Sequence, residues 1–196
     1  MINLKIPYTY SIIFHPLTST IGEVKKFKKD LKSKAGDYAS QNSLAHITIA
    51  GFEATENQLV IVMQYLKKFV KNQITFSALF NRLSCSTFSK CAVFLPSSEC
   101  NDIIHNITKN VRNIITVTEM SKISQPHVSI GRNLSEKQLT IARQLFTDKS
   151  FKFDFCQLAL RKFHPNTDQY EIIQEFSFTG KPNKENFEQT SIDWDF

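Results

Sequence analysis

Two short stretches decide how this chain is read: residues 44–52, LAHITIAGF, and residues 126–132, PHVSIGR. Both are rich in apolar and β-branched residues and read as strands. Alternate residues of a strand face opposite sides. His46 and Thr48 therefore share one side, and Ile47 and Ile49 share the other. His127 and Ser129 pair in the same way, with Val128 and Ile130 turned toward a core. Each strand has one apolar side and one side carrying an imidazole and a hydroxyl. An unsatisfied buried polar group costs roughly 1–3 kcal/mol, so the polar side calls for water or a ligand. A single such histidine reads as a structural residue; two in matching surroundings read as a site.

Working outward, the sequence matches itself at an offset of 81. His46 falls on His127, Thr48 on Ser129, Ile49 on Ile130, Ile12 on Val93 and Phe14 on Leu95. Each half reads strand, helix, short histidine strand, helix, long strand, which is the pattern of one duplication. The expected fold is α+β, bilobal and duplicated. Two antiparallel-type sheets lie side by side around a central cleft, with the helices outside. Residues 1–180 form a single domain with lobes at about 8–90 and 91–180, strand exchange between them being allowed. A tail at 181–196 lacks periodicity and is either flexible or strapped down by Phe187 and Trp194.

Tyr8–Phe14 reads as the first strand. The next helix, capped by Thr18, Ser19 or Thr20, carries an apolar stripe of Ile21, Val24, Phe27 and Leu31 and stops at Gly36. Lys25, Lys26, Lys28, Lys29, Lys32 and Lys34 cover much of the remainder and read as a solvated face, with contact to RNA as the alternative. Thr55 caps a second helix burying Leu59, Val62, Met63, Leu66, Phe69 and Val70. A long β segment, 74–88, forms a hairpin with Cys91–Leu95. The third helix starts at Ser97 or Ser98 and buries Ile103, Ile104, Ile107, Val111 and Ile114. After a polar loop at 116–125 and the second histidine strand, Ser135 and Glu136 open a fourth helix with Leu139, Ala142, Leu145 and Phe146 inside. Two closing strands, 151–163 and 170–178, meet at the turn 164–168.

The composition agrees. The chain has 196 residues, 41% hydrophobic and 21% charged, which suits a folded domain and excludes a disordered one. No run approaches the ~20 apolar residues of a membrane span, and the start, Met1-Ile-Asn-Leu-Lys-Ile-Pro7, lacks secretory features. A cytoplasmic monomer without membrane contact is expected. The net charge of +6 permits a polyanionic partner. Cys85, Cys91, Cys100 and Cys156 form no Cys-x-x-Cys pair and read as free thiols. No metal-ligand spacing is present, so neither metal nor other cofactor is expected. Tyr10, Phe52 and Phe88 are candidates for stacking on bases but read better as core. His15 and His164 could line the rim of the cleft but read better as exposed loop residues, and His105 reads as surface.

Two imidazoles titrate near neutrality, so one can accept a proton while the other donates. Two hydroxyls can hold the nonbridging oxygens of a phosphodiester. In-line displacement at phosphorus needs a base on one side and an acid on the other, which a twofold pair of histidines supplies.

His46-Ile-Thr48-Ile49 and His127-Val-Ser129-Ile130 resemble the paired His-x-Thr/Ser-x motifs of the 2H phosphoesterase superfamily, which includes the 2′-5′ RNA ligase and 2′,3′-cyclic phosphodiesterase group. The likeness spans Tyr8 to Phe178. It implies metal-independent hydrolysis, or reversible ligation, at 2′,3′-cyclic phosphate or 2′,5′ bonds of RNA or oligonucleotides. It implies His127 as base, His46 as acid, and Thr48 and Ser129 as phosphate anchors. Arg132, five residues after His127, resembles a basic residue of the ligase-like branch; Gly51 stands at that place in the first motif. Two other readings stay open: a 2H enzyme acting on a small cyclic nucleotide such as an ADP-ribose cyclic phosphate, and a non-catalytic module that binds RNA ends.

Overall fold

A computed structural model describes residues 7–115, 121 and 125–181. Most of the polar loop 116–125 and nearly all of the tail, including Phe187 and Trp194, lie outside the described residues. The elements run β1 (Tyr8–Phe14), α1 (Thr18–Ala35), β2 (Ile47–Ala54), α2 (Glu56–Val70), β3 (Phe76–Ser86), β4 (Cys91–Pro96), α3 (Ser98–Ile114), β5 (Val128–Gly131), α4 (Glu136–Phe146), β6 (Phe151–Phe155), β7 (Gln157–His164) and β8 (Gln169–Ser177). The strands form two four-stranded antiparallel sheets, ordered β2-β1-β7-β8 and β5-β4-β3-β6. The α+β class and the paired sheets are as expected from the sequence.

The halves are interlaced. β3 follows α2 but pairs with β4 and β6 in the second sheet, while β7 returns to pair with β1 in the first. The expected single strand 151–163 is two strands, β6 and β7, in different sheets, and Cys156 is the residue between them. The helices exchange as well: α1 packs on β5, β6 and α4, whereas α3 packs on β2 and α2. An apolar run read along the chain carries no mark of which sheet it joins, which is why the split at Cys156 escapes the sequence.

The repeat is also not uniform. Helices α1 and α3 start 80 residues apart, and so do α2 and α4, whereas the histidine strands are 81 apart. The ladders set the correspondence of the first strands: Ile13 stands opposite Thr48 and Val93 opposite Ser129. Phe14 thus corresponds to Phe94, and the match of Phe14 to Leu95 is one residue out. A slip of one residue turns every side chain to the wrong face, so this correction matters for what lines the cleft.

Local signals explain most boundaries. Thr55 and Ser135 each accept a bond from the backbone of Gln58 and Gln138, and those glutamines reach back to complete reciprocal caps. Gly36 ends α1 at φ +80°, a left-handed value that favours glycine. The N-cap of α1 is Leu17, not Thr18, Ser19 or Thr20; Thr20 instead buries its hydroxyl against the Lys152 carbonyl. In α3 the buried face is Ile104, Thr108 and Val111, and Ile103 points to solvent. The lysine face of α1 is not wholly solvated: Lys28 is buried and donates to Ser40 O, Ser43 O and Ser43 Oγ.

Phenylalanines fill the space between α1, α4 and the second sheet. Phe151, Phe153 and Phe155 alternate inward along β6. Phe151 meets Phe27, Phe80 and Phe94 at ring distances of 6.1, 5.4 and 5.4 Å. Phe151→Ala should therefore cost about 3–5 kcal/mol, measurable as a fall in the denaturant midpoint; a loss under about 1 kcal/mol, the size of an ordinary surface change, would show that the cluster does not bear on stability. Tyr10 and Phe52 are buried and stacked on each other, as their core reading required, whereas Phe88 is fully exposed in the β3–β4 turn. Among the described residues no helix is long and apolar enough to cross a membrane.

Candidate active site

The first sheet has an apolar face under α2 and α3 and a polar face open to a cleft. On β1, Tyr10, Ile12 and Phe14 enter the core, while Ser11, Ile13 and the following His15 line the cleft. Thr48 from β2, Arg161 from β7, and Tyr170 and Ile172 from β8 join them, in a cleft of about 670 Å³. His46 and His127 line the same cleft, each one residue ahead of its strand. The cleft thus brings together both histidines and Thr48.

The two rings are held alike. His46 Nδ1 donates to the Leu44 carbonyl at 2.9 Å, and His127 Nδ1 donates to the Gln125 carbonyl at 2.8 Å. A carbonyl only accepts, so each neutral ring carries its proton on Nδ1. Among the described residues nothing bonds Nε2 of either ring.

Each histidine strand contains one bulged residue, Ile49 in β2 and Ile130 in β5. An extra residue changes the alternation beyond it. Arg132, five positions after His127, would otherwise face away; the bulge returns it to the face of Ser129. Its Nε donates to Ser129 Oγ at 3.3 Å, and its backbone N–H donates to Ser40 Oγ at 2.8 Å. Both bulges are tied from the side: Arg112 donates to the Ile49 carbonyl at 3.0 Å and Tyr38 OH to the Ile130 carbonyl at 3.3 Å. Ser129 opens into a recess of about 90 Å³ next to the cleft, and the two share His46 and Arg132. Where the first motif has Gly51, Ser121 pairs with it: Ser121 N–H donates to the Gly51 carbonyl and Gly51 N–H donates to Ser121 Oγ.

One cleft residue, Arg161, escaped the sequence reading, and His15 takes the cleft-rim place that was its second reading. Arg161 lies on a strand with neighbours on both sides, donates to Ser11 Oγ at 3.1 Å, and sits 4.8 Å over the Tyr170 ring. Among the described residues its Nε has no hydrogen-bond partner. The available signal was an arginine inside the apolar run Leu158-Ala-Leu-Arg161. His15, expected to be an exposed loop residue, is largely covered at the cleft wall and bonds Glu175 at 2.7 Å. His105 is exposed as expected, and His164 pairs with Glu171 at 3.1 Å.

The charge around His46 is positive. Among the described residues no carboxylate pairs with Lys28, Arg132 or Arg161. Burial first, then Arg161, and more weakly Arg132 and Lys28, pull the His46 pKa down to about 3 against the opposing Leu44 bond. Burial, with Arg132 beside it, brings Lys28 to about 8. Among the described residues no cluster of three His, Cys, Asp or Glu side chains could hold a metal ion.

Residues 16–167 match the sequence model of the 2′-5′ RNA ligase superfamily. The chain belongs to that superfamily. Solved structures of similar fold include E. coli LigT, with 12% identity over 88% of this chain and 98% of that one at a TM-score of 0.64. Another is TT0787 of Thermus thermophilus, with 12% identity over 90% and 100% at a TM-score of 0.59. No curated protein matches in sequence. Membership of the 2′-5′ RNA ligase superfamily supports an enzymatic role in phosphodiester chemistry on RNA or nucleotides.

Proposed function

We propose that the cleft takes a phosphodiester anion of RNA or an oligonucleotide, as a 2′,3′-cyclic phosphate or a 2′,5′ link, and that His46 and His127 move the protons of its cleavage. The observation that carries this is the matched pair of rings, each locked through Nδ1 in a cleft whose cations Arg132 and Arg161 have no carboxylate partner among the described residues. E. coli LigT has been crystallised with 3′-AMP and with phosphate, anions of the kind such a cleft would hold. Arg161, Arg132, Thr48 and Ser129 would hold the nonbridging oxygens and offset the charge that gathers there. His127 takes a proton from water as it attacks phosphorus. The bond to one ribose oxygen breaks, and His46 returns a proton to that oxygen, giving a phosphomonoester and a free hydroxyl. Ligation is the same path reversed.

His46 is neutral in the empty cleft, so it must gain its proton together with the anion, whose charge offsets the surrounding cations. In NMR titrations of the free protein, His46 should stay neutral down to about pH 5, well below the ordinary imidazole range. Saturating inorganic phosphate should raise its midpoint. A free ring titrating near the ordinary value of about 6.5 would contradict this electrostatic account.

The function is tested with 2′,3′-cyclic and 2′,5′-linked oligonucleotides, with and without EDTA, and with product ends mapped. Cleavage unaffected by chelator is expected. Tight binding without turnover would favour the RNA-end module, and inhibition by chelator would overturn the metal-free reading.

A further inference from the structure

On the other side of residues 42–45 from the cleft lies a second groove that the chemistry above does not use. α1 and the segment 41–45 enclose about 280 Å³, and residues 42–45 are the wall shared by groove and cleft. Lys25, Lys28, Lys29 and Lys32 line the helix side. Steps of three or four residues link Lys25 to Lys28 and Lys29, and each of these to Lys32, along one side of the helix. Glu23 and Asp30, the acidic residues of α1, do not line the groove. Lys28 is committed to Ser40 and Ser43, which fixes the shared wall, and Lys32 pairs with Asp37 at 2.9 Å. Lys25 and Lys29 are exposed and have no carboxylate partner among the described residues. They stand one helical turn apart, ~6 Å along the axis, a step comparable to that between neighbouring phosphates on an extended strand. Ile21 and Leu44 add apolar surface beside them.

We infer that this groove holds the sugar-phosphate strand leaving the cleft, so that the substrate is a single-stranded oligonucleotide and not a mononucleotide. The inference rests on reading the cleft as a phosphodiester site. A mononucleotide ends inside the cleft; a longer strand would place its next phosphates at Lys25 and Lys29.

The test measures binding of two probes across a salt series: a 3′-mononucleotide and a single-stranded oligonucleotide with a 3′-phosphate. The oligonucleotide should bind more tightly and lose affinity more steeply with salt. In Lys25→Gln/Lys29→Gln its slope of log K against log salt should flatten by about 1.4, from ~0.7 per phosphate contact on a single strand. Mononucleotide binding should not change. Lys67→Gln/Lys68→Gln, on the exposed side of α2, serves as control and should leave the slope intact. Equal affinities for both probes, an unchanged slope in the Lys25/Lys29 variant, or an equal change in the control would overturn the inference. Failure of both probes to bind would instead overturn the cleft reading, and this one with it.

Discussion

Alanine at His46, or at His127, is expected to lower kcat on a 2′,3′-cyclic phosphate by about 10²–10⁴-fold, the usual contribution of a positioned acid or base. Neither ring is packed as core, and each makes a single bond to a nearby carbonyl, so both variants should fold and melt close to the parent protein. Asparagine at either position separates the two duties of the ring. Its amide can still donate to the carbonyl two residues back, but nothing remains at the place of Nε2. The asparagine variants should therefore be as inactive as the alanine ones. The double alanine variant should be little worse than either single one, because groups acting in one proton path are far from additive. Activity within about tenfold of the parent in either single variant, below the range for a positioned acid or base, would remove that residue from the chemistry.

The two histidine strands could be read from sequence because their evidence is local. Alternation puts His46 with Thr48 and His127 with Ser129, and a residue pair at matching places in two halves needs no tertiary information. The reciprocal caps at Thr55 and Ser135 are local too. What escaped depends on pairing across the chain. The bulges at Ile49 and Ile130 appear only when a strand is laid against its neighbour, and they decide that Arg132 shares a face with Ser129. The one-residue error between Phe14 and Leu95 has the same origin, since offset alone does not set register. Lys28 read as one of six surface lysines because its partners, Ser40 and Ser43, come from the connection after α1 and not from the helix.

Arg161 is the residue whose replacement should most clearly separate function from folding. It is half-buried, burial brings its pKa down to about 10, and it meets a hydroxyl and an aromatic ring. A guanidinium held this way, without a carboxylate among the described residues, is a cost to the folded state that a bound anion would offset. Arg161→Met keeps much of the side-chain volume and removes the charge. Its expected kcat/KM on a cyclic phosphate is lower by about 10²–10³-fold, the scale for losing one donor to a developing negative charge. Its expected melting temperature is equal to that of the parent or higher. The His46 midpoint in the free protein should rise as well, because Arg161 is the largest charged contributor to its depression. A purely structural arginine predicts the reverse, with activity kept and stability lost, so measuring kcat/KM and melting together decides between the two. Arg161→Lys should recover part of the activity at most, since an ammonium keeps the charge but cannot reach Ser11 and the anion together as the planar fork does.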